Sequence, residues 1–323
     1  MSLDSNFSIV FMGTPEFAVH SLDCLFQNNF NVVGVVTAPD KPAGRGMTFQ
    51  KSAVKIYSEE KNLKILQPTN LKSDDFINEL SSLNADLFVV VAFRMLPEIV
   101  WQMPKYGTIN LHASLLPQYR GAAPINWAVI YGDSVTGVTT FFIEKEIDTG
   151  NVIMQEKVTI NPKDNAGILH DKLMEVGGKL IIKTVDAIRN NNIIIKSQAS
   201  FNNNFEKLLP APKIFKTDCK INWNNNSTNI YNFIRGLSPY PTAWTEFADK
   251  NTTFTAKIFS AEIIENENPE NIIFSDNKTF LHIKCTDNKY VSIKEIQLQN
   301  RKKLKIEELL RGINDDVNTW KLI

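Results

Sequence analysis

Apolar residues recur along this chain in two rhythms, and the change from one to the other divides it. Residues 7–11 form a short apolar run ending in Met12-Gly13-Thr14-Pro15-Glu16. That order predicts a strand, a tight turn and a helix start, with Thr14 capping the helix and Pro15 in its first position. Phe17, Ala18, Ser21, Leu22 and Leu25 then follow helical spacing. Residues 31–37, rich in Val, read as a second buried strand, 65–67 as a short third, and 74–83 as a helix. Residues 86–93, Asp-Leu-Phe-Val-Val-Val-Ala-Phe, are a continuous apolar run and the clearest strand in the chain. A strand apolar on both faces belongs in a parallel sheet covered by helices. Residues 136–142 add a Thr/Val-rich strand. Residues 164–190 predict one long helix with Leu169, Leu173, Val176, Leu180, Ile181 and Val185 on one face.

Beyond residue 190 the rhythm shortens. An Asn-rich polar stretch at 190–207 reads as a linker. One helix at 226–236 is followed by β-rich segments at 243–247, 254–259, 272–274, 280–285 and 290–296. Short strands at close spacing predict a small barrel. The expected fold is therefore α/β, with a Rossmann-like, mostly parallel sheet in an N-terminal domain at 1–189. A linker at 190–207 leads to a smaller, OB-like β-barrel domain at 208–323.

Composition changes this picture only at its margins. The 323 residues carry zero net charge, with 18 Lys/Arg against 21 Asp/Glu in residues 1–206 and 17 against 14 in the rest. That slight basic excess permits a nucleic-acid partner for the C-terminal part without demanding one. Cys24, Cys219 and Cys285 are far apart and form no CxxC, so a disulfide framework is not expected and a reducing, cytoplasmic setting is. With four histidines and neither HxH nor HExxH, no metal is expected. No apolar run approaches the roughly 20 residues needed to span a bilayer. Nothing in the pattern suggests a large apolar seam between subunits, so a monomer is expected. The turn after the first strand lacks GxGxxG, and no GxxxxGK[ST] occurs, which argues against a nicotinamide or P-loop nucleotide site.

The chemistry concentrates between residues 108 and 150. Asn110 and His112 are two apart, so on an extended strand they share a side. An amide can donate to a developing oxyanion, and an imidazole can act as acid or base near neutral pH. Asp148 sits before Thr149-Gly150 in a turn-like context. By spacing alone each of these residues fits a structural role as readily, and the chain remains an enzyme of undefined chemistry.

The run Asn110-Leu-His112-Ala-Ser114-Leu-Leu-Pro117, continuing through Arg120-Gly121-Ala-Ala-Pro124-Ile-Asn-Trp127, resembles the signature of the methionyl-tRNA formyltransferase family, as does Asp148-Thr149-Gly150. Phe11-Met-Gly-Thr-Pro-Glu-Phe-Ala, the Asp40–Gly46 loop, Ala211-Pro-Lys213, Ile221-Asn-Trp223 and Ile234-Arg235-Gly236 extend the resemblance over nearly the whole chain. The chain departs from the family pattern at 47–52, which is less basic, and after Phe93, where Arg94-Met95 stands in place of a common glycine.

The resemblance implies a formyl transferase using 10-formyltetrahydrofolate as co-substrate and initiator methionyl-tRNA as acceptor. Asn110, His112 and Asp148 would be catalytic. The folate would lie against Ser114, Leu115, Leu116 and Pro117 and along Val89, Val91 and Phe93. Lys41, Arg45, Lys51, Lys55, Lys207 and Lys213 would contact tRNA. The rival expectations are a folate-dependent formyl transferase acting on an amino sugar nucleotide and an inactive RNA-binding relative.

Overall fold

A computed structural model describes residues 7–43, 48–205, 207–250, 252–265 and 271–323. In chain order the first elements are β1 (Ser8–Gly13), α1 (Glu16–Gln27), β2 (Asn31–Val36), β3 (Lys41–Ala43), β4 (Thr48–Gln50), α2 (Ala53–Glu60), β5 (Ile65–Leu66), α3 (Asp74–Ser82), β6 (Leu87–Val91), α4 (Glu98–Trp101) and β7 (Thr108–His112). They are followed by α5 (Pro124–Ile130), β8 (Val135–Phe142), β9 (Val152–Thr159) and α6 (Ala166–Arg189). After α6 come α7 (Ser227–Gly236), β10 (Ala243–Ala248), β11 (Thr253–Ile264), β12 (Ile273–Ser275), β13 (Leu281–Lys284), β14 (Tyr290–Leu298), β15 (Leu304–Lys305), α8 (Ile306–Arg311) and β16 (Lys321–Leu322).

The chain forms two compact units. The first comprises residues 1–121, 135–159 and 170–210, and the second 122–134, 160–169 and 211–323. The first unit is built on a seven-stranded sheet of order β5-β2-β1-β6-β7-β8-β9. It is parallel from β5 to β7 and antiparallel from β7 to β9. The Rossmann-like expectation thus holds, with two antiparallel strands added at one edge. All five residues of β6 are buried because it lies in mid-sheet with strands on both sides.

Gly13 ends β1 where the chain turns within reach of its neighbour: a Cβ there would meet Ala18 Cβ at 2.6 Å and the Val91 carbonyl at 3.1 Å. Thr14 does not cap α1 as the sequence suggests. Pro15 occupies the cap position and no side-chain cap forms, because the strand-to-helix turn places the extended residue one place later. The periodicity gives no element at 152–159, yet those residues form β9 along the antiparallel edge.

The second unit holds an antiparallel sheet of order β12-β13-β14-β11-β10-β16, with β15 paired to β14, curled into a nearly closed barrel. Its core includes Ile230, Ile234, Phe247, Ile258, Ile283, Val291, Ile296 and Trp320. Helix α7 packs against the barrel strand β11 and against α5.

Candidate active site

β7 delivers Asn110 and His112 to the carboxyl end of the parallel sheet, the end at which such sheets bind ligands. His112 is buried, and its Nε2 lies 2.8 Å from the Tyr119 carbonyl oxygen. A carbonyl only accepts, so Nε2 holds a proton and Nδ1 is left for chemistry. Nδ1 faces Asp148 Oδ2 at 3.8 Å, a separation that leaves charge attraction and no direct hydrogen bond. The same Oδ2 accepts the Gly121 N–H at 2.9 Å. The Asn110 side chain is half-buried and makes no hydrogen bond among the described residues. Fold and pairing thus bring all three residues of the expected trio into one unit, with an imidazole and a carboxylate opposed.

The surrounding backbone is held in unusual conformations. Ala92, Tyr119 and Asp148 have φ of 48°, 61° and 54°, in the left-handed region that non-glycine residues rarely adopt. Three such residues on the loops around one site mark a place where tertiary packing overrides local preference. Gly150 closes the Asp148 turn against β8, where a Cβ would collide with the Phe142 carbonyl oxygen.

The residues expected to hold folate divide into two groups. In the loop after β7, most polar groups already have partners. Ser114 Oγ donates to the Gln118 carbonyl at 2.5 Å, and Thr139 Oγ1 donates to the Ser114 carbonyl at 2.6 Å. Leu116 N–H donates to Thr139 Oγ1 at 3.1 Å, and its carbonyl accepts from Gln155 Nε2 at 2.8 Å. Leu116 and Pro117 are buried, leaving Leu115 as the partly exposed member. Val89 and Val91 are fully buried in the sheet.

The chain beyond β6 is different. Phe93 is half-buried and Met95 is 71% exposed. Residues 92–95 make no backbone–backbone hydrogen bond among the described residues. Arg94 braces this segment by donating to the Thr69 carbonyl at 3.0 Å and to the Pro68 carbonyl.

The basic residues expected at a tRNA surface are dispersed. Lys41 is exposed on β3, and Arg45 lies outside the described residues. Lys51 pairs with Glu59 at 2.7 Å. Lys55 pairs with Asp40 at 2.6 Å, and that hydrogen bond, with a second from Gln67, holds the Asp40 carboxyl below its usual range. Lys55 is therefore a brace within its own loop. Lys207 is exposed, and Lys213 is exposed with its ammonium 5.3 Å from the centre of the Phe215 ring. In the second unit a cleft of about 720 Å³ is lined by Lys213, Lys216, Lys257 and Arg301 together with Tyr240 and Trp244. Lys213, Lys216 and Arg301 are basic residues that the sequence also offers, whereas spacing along the chain does not signal that Tyr240 and Trp244 lie beside them.

Among the described residues no group of three His, Cys, Asp or Glu is placed to hold a metal ion. No described helix is long and apolar enough to cross a membrane.

Residues 6–185 match the formyl transferase family, and residues 213–314 match the formyl transferase C-terminal domain. The chain is 53% identical over 307 residues to the methionyl-tRNA formyltransferase of Bacteroides thetaiotaomicron, covering 94% of this chain and 95% of that one. It is 49% identical over 308 residues to the enzyme of the same name from Flavobacterium johnsoniae, covering 94% and 96%. An N-formyltransferase from Helicobacter canadensis, solved with folinic acid and dTDP-3-aminofucose, superposes with a TM-score of 0.64 at 22% identity over 88% of this chain and 98% of that one, a likeness of fold. The shared domains and the identity over nearly its full length make this chain a member of the methionyl-tRNA formyltransferase family.

Proposed function

We propose that this chain transfers the formyl group of 10-formyltetrahydrofolate to the free amino group of methionine on initiator tRNA, giving N-formylmethionyl-tRNA. The acceptor follows from identity at about half of all positions with relatives of that name over the length of both domains. The observation that carries the chemistry is the opposition of Asp148 and His112, the latter on the strand that also carries an Asn110 amide without a hydrogen bond among the described residues.

In the reaction the amine attacks the formyl carbon, a C–N bond forms and the carbonyl π pair moves onto oxygen. The Asn110 amide donates to that oxyanion. His112 is anchored through Nε2, so its contribution comes from Nδ1, which donates to the oxyanion when protonated. Asp148 holds the charge of that ring and, through a water, accepts the proton that the new ammonium must lose. Collapse restores the carbonyl and breaks the bond to N10 of tetrahydrofolate, which takes up a proton.

The pterin is assigned to residues 92–95 and Phe93 in particular, because their backbone donors and acceptors lack partners among the described residues, while the Ser114 carbonyl and the Leu116 N–H and carbonyl already have them. Leu115 supplies apolar contact. Lys41, Lys207 and Lys213 are the described residues whose exposure suits tRNA phosphate, and Arg45 is assigned there by the resemblance. Lys51 and Lys55 would have to leave Glu59 and Asp40 to join them.

The test is formyl transfer from 10-formyltetrahydrofolate to methionyl initiator tRNA, with an amino sugar nucleotide as competing acceptor. Removing an oxyanion donor costs about 10²–10³ in turnover, so Asn110→Ala should fall by that factor. Near-normal turnover of Asn110→Ala and His112→Ala would sink the mechanism. Formylation of the sugar nucleotide alone would sink the acceptor.

A further inference from the structure

The segment expected as a linker returns to the first unit and enters its active site. Lys196 bridges to Val152, and Gln198 follows, 3% exposed, at the start of a short 3-10 helix (Gln198–Asn204). Gln198 Nε2 donates to the carbonyl of Asp148 and to the carbonyl of Gly150, each at 2.8 Å. Its Oε1 accepts from Arg120 Nε at 3.0 Å and from Arg120 Nη2 at 2.6 Å. The amide is oriented without ambiguity, since carbonyls only accept and a guanidinium only donates. Both of its donors and both of its acceptor positions are filled.

These four bonds tie together two loops that meet at the carboxylate. One carries Asp148, whose φ of 54° needs outside support. The other carries Arg120 and then Gly121, whose N–H reaches Asp148 Oδ2. A single buried amide therefore sets both the backbone from which Asp148 projects and the chain that holds its carboxylate.

We propose that Gln198 is the positioning residue for Asp148, holding the carboxylate in place opposite His112 Nδ1. It touches neither substrate and acts through Asp148, so the inference rests on the reading of His112 and Asp148 as catalytic. Nothing in local sequence spacing reveals it, because Gln198 lies 50 residues beyond Asp148 in an Asn-rich stretch.

The test uses the full chain and a double-mutant cycle. Gln198→Glu keeps the size and the acceptor for Arg120 but, ionised, cannot donate to the two carbonyls. A displacement of about 1 Å in a catalytic group costs on the order of 10²-fold, so kcat should fall by roughly ten- to a hundredfold. The KM values for folate and for methionyl-tRNA should stay within about twofold, as expected when only transition-state stabilisation is lost. Adding Gln198→Glu to Asp148→Asn should cause no further loss, because the two act as one unit. Circular dichroism and melting establish that each variant is folded. If Gln198→Glu does not fold, the isosteric Gln198→Met is read by the same criteria.

Wild-type kcat in the folded Gln198 variant, alongside a disabled Asp148→Asn, overturns the positioning role and leaves the catalytic reading standing. A Gln198 effect fully retained in the Asp148→Asn background also overturns it. Wild-type turnover of Asp148→Asn by itself overturns the underlying reading of the site.

Discussion

His112 and Asp148 each depend on a neighbour that has no chemistry of its own. His112 depends on the Tyr119 carbonyl, which fixes the ring and leaves Nδ1 as the nitrogen facing Asp148. Asp148 depends on the Gly121 N–H and, at the next residue but one, on Gly150. Because a Cβ at Gly150 would strike the Phe142 carbonyl, Gly150→Ala forces the turn away from β8. It is expected to lower kcat together with the melting temperature, whereas Asn110→Ala lowers kcat alone. Kinetics and thermal melts on the two purified variants distinguish these outcomes, and an unperturbed Gly150→Ala would show that the turn tolerates the displacement.

Among the elements, β13 and β14 show how burial shapes titration in the barrel. His282 on β13 stacks on Phe280 with ring centres 4.2 Å apart and lies near Phe274 and Tyr290. Burial, and then the charge of Lys294, push its pKa from 6.5 down to about 4, against an opposing pull from Asp276. The folded protein therefore holds His282 neutral where the unfolded chain would protonate it. Below about pH 6.5 the unfolded state binds more protons, so this residue's contribution to stability declines from there to about pH 4 and is constant above. Denaturant melts from pH 7 to 4 on wild type and His282→Phe should show a shallower acid slope in the variant. Equal slopes would place the acid sensitivity elsewhere.

At the scale of the whole molecule, 35 Lys and Arg balance 35 Asp and Glu, and some of the basic residues gather locally. Lys213, Lys216, Lys257 and Arg301 gather around one cleft of the second unit. If that cleft takes tRNA phosphate, affinity falls as salt rises, because each neutralised phosphate releases counterions. Lys213→Ala should then reduce the slope of log affinity against log salt by about one. An unchanged slope removes Lys213 from the interface. The same experiment on Lys55→Ala separates a phosphate contact from the internal brace to Asp40.

Much of the first unit is legible in the chain itself. The apolar runs at 7–11, 31–37 and 86–93 become β1, β2 and β6: β1 and β6 are buried throughout and β2 over its last three residues, and a strand buried on both faces must be apolar. Helix α6 is legible for the complementary reason, a single apolar stripe over many turns. Asn110 and His112 were readable as a pair because two-residue spacing is itself a strand signal. β9 was not, since its exposed Glu156 and Lys157 interrupt the apolar pattern at the sheet's edge.

Nor does spacing place Asp148 beside His112. That required β8 to pair antiparallel to β7 and the chain to turn back through Gly150. The polar stretch at 190–207 looks like a linker because its composition cannot build a core, yet one amide in it finds four polar partners. Local sequence by itself determined the buried strands β1, β2 and β6, the long helix α6 and the shared side of Asn110 and His112, because periodicity is a property of neighbours in the chain. Tertiary structure alone decided which nitrogen of His112 faces Asp148 and the partners of Asp148 and Gln198, because each depends on contacts between segments that only folding brings together.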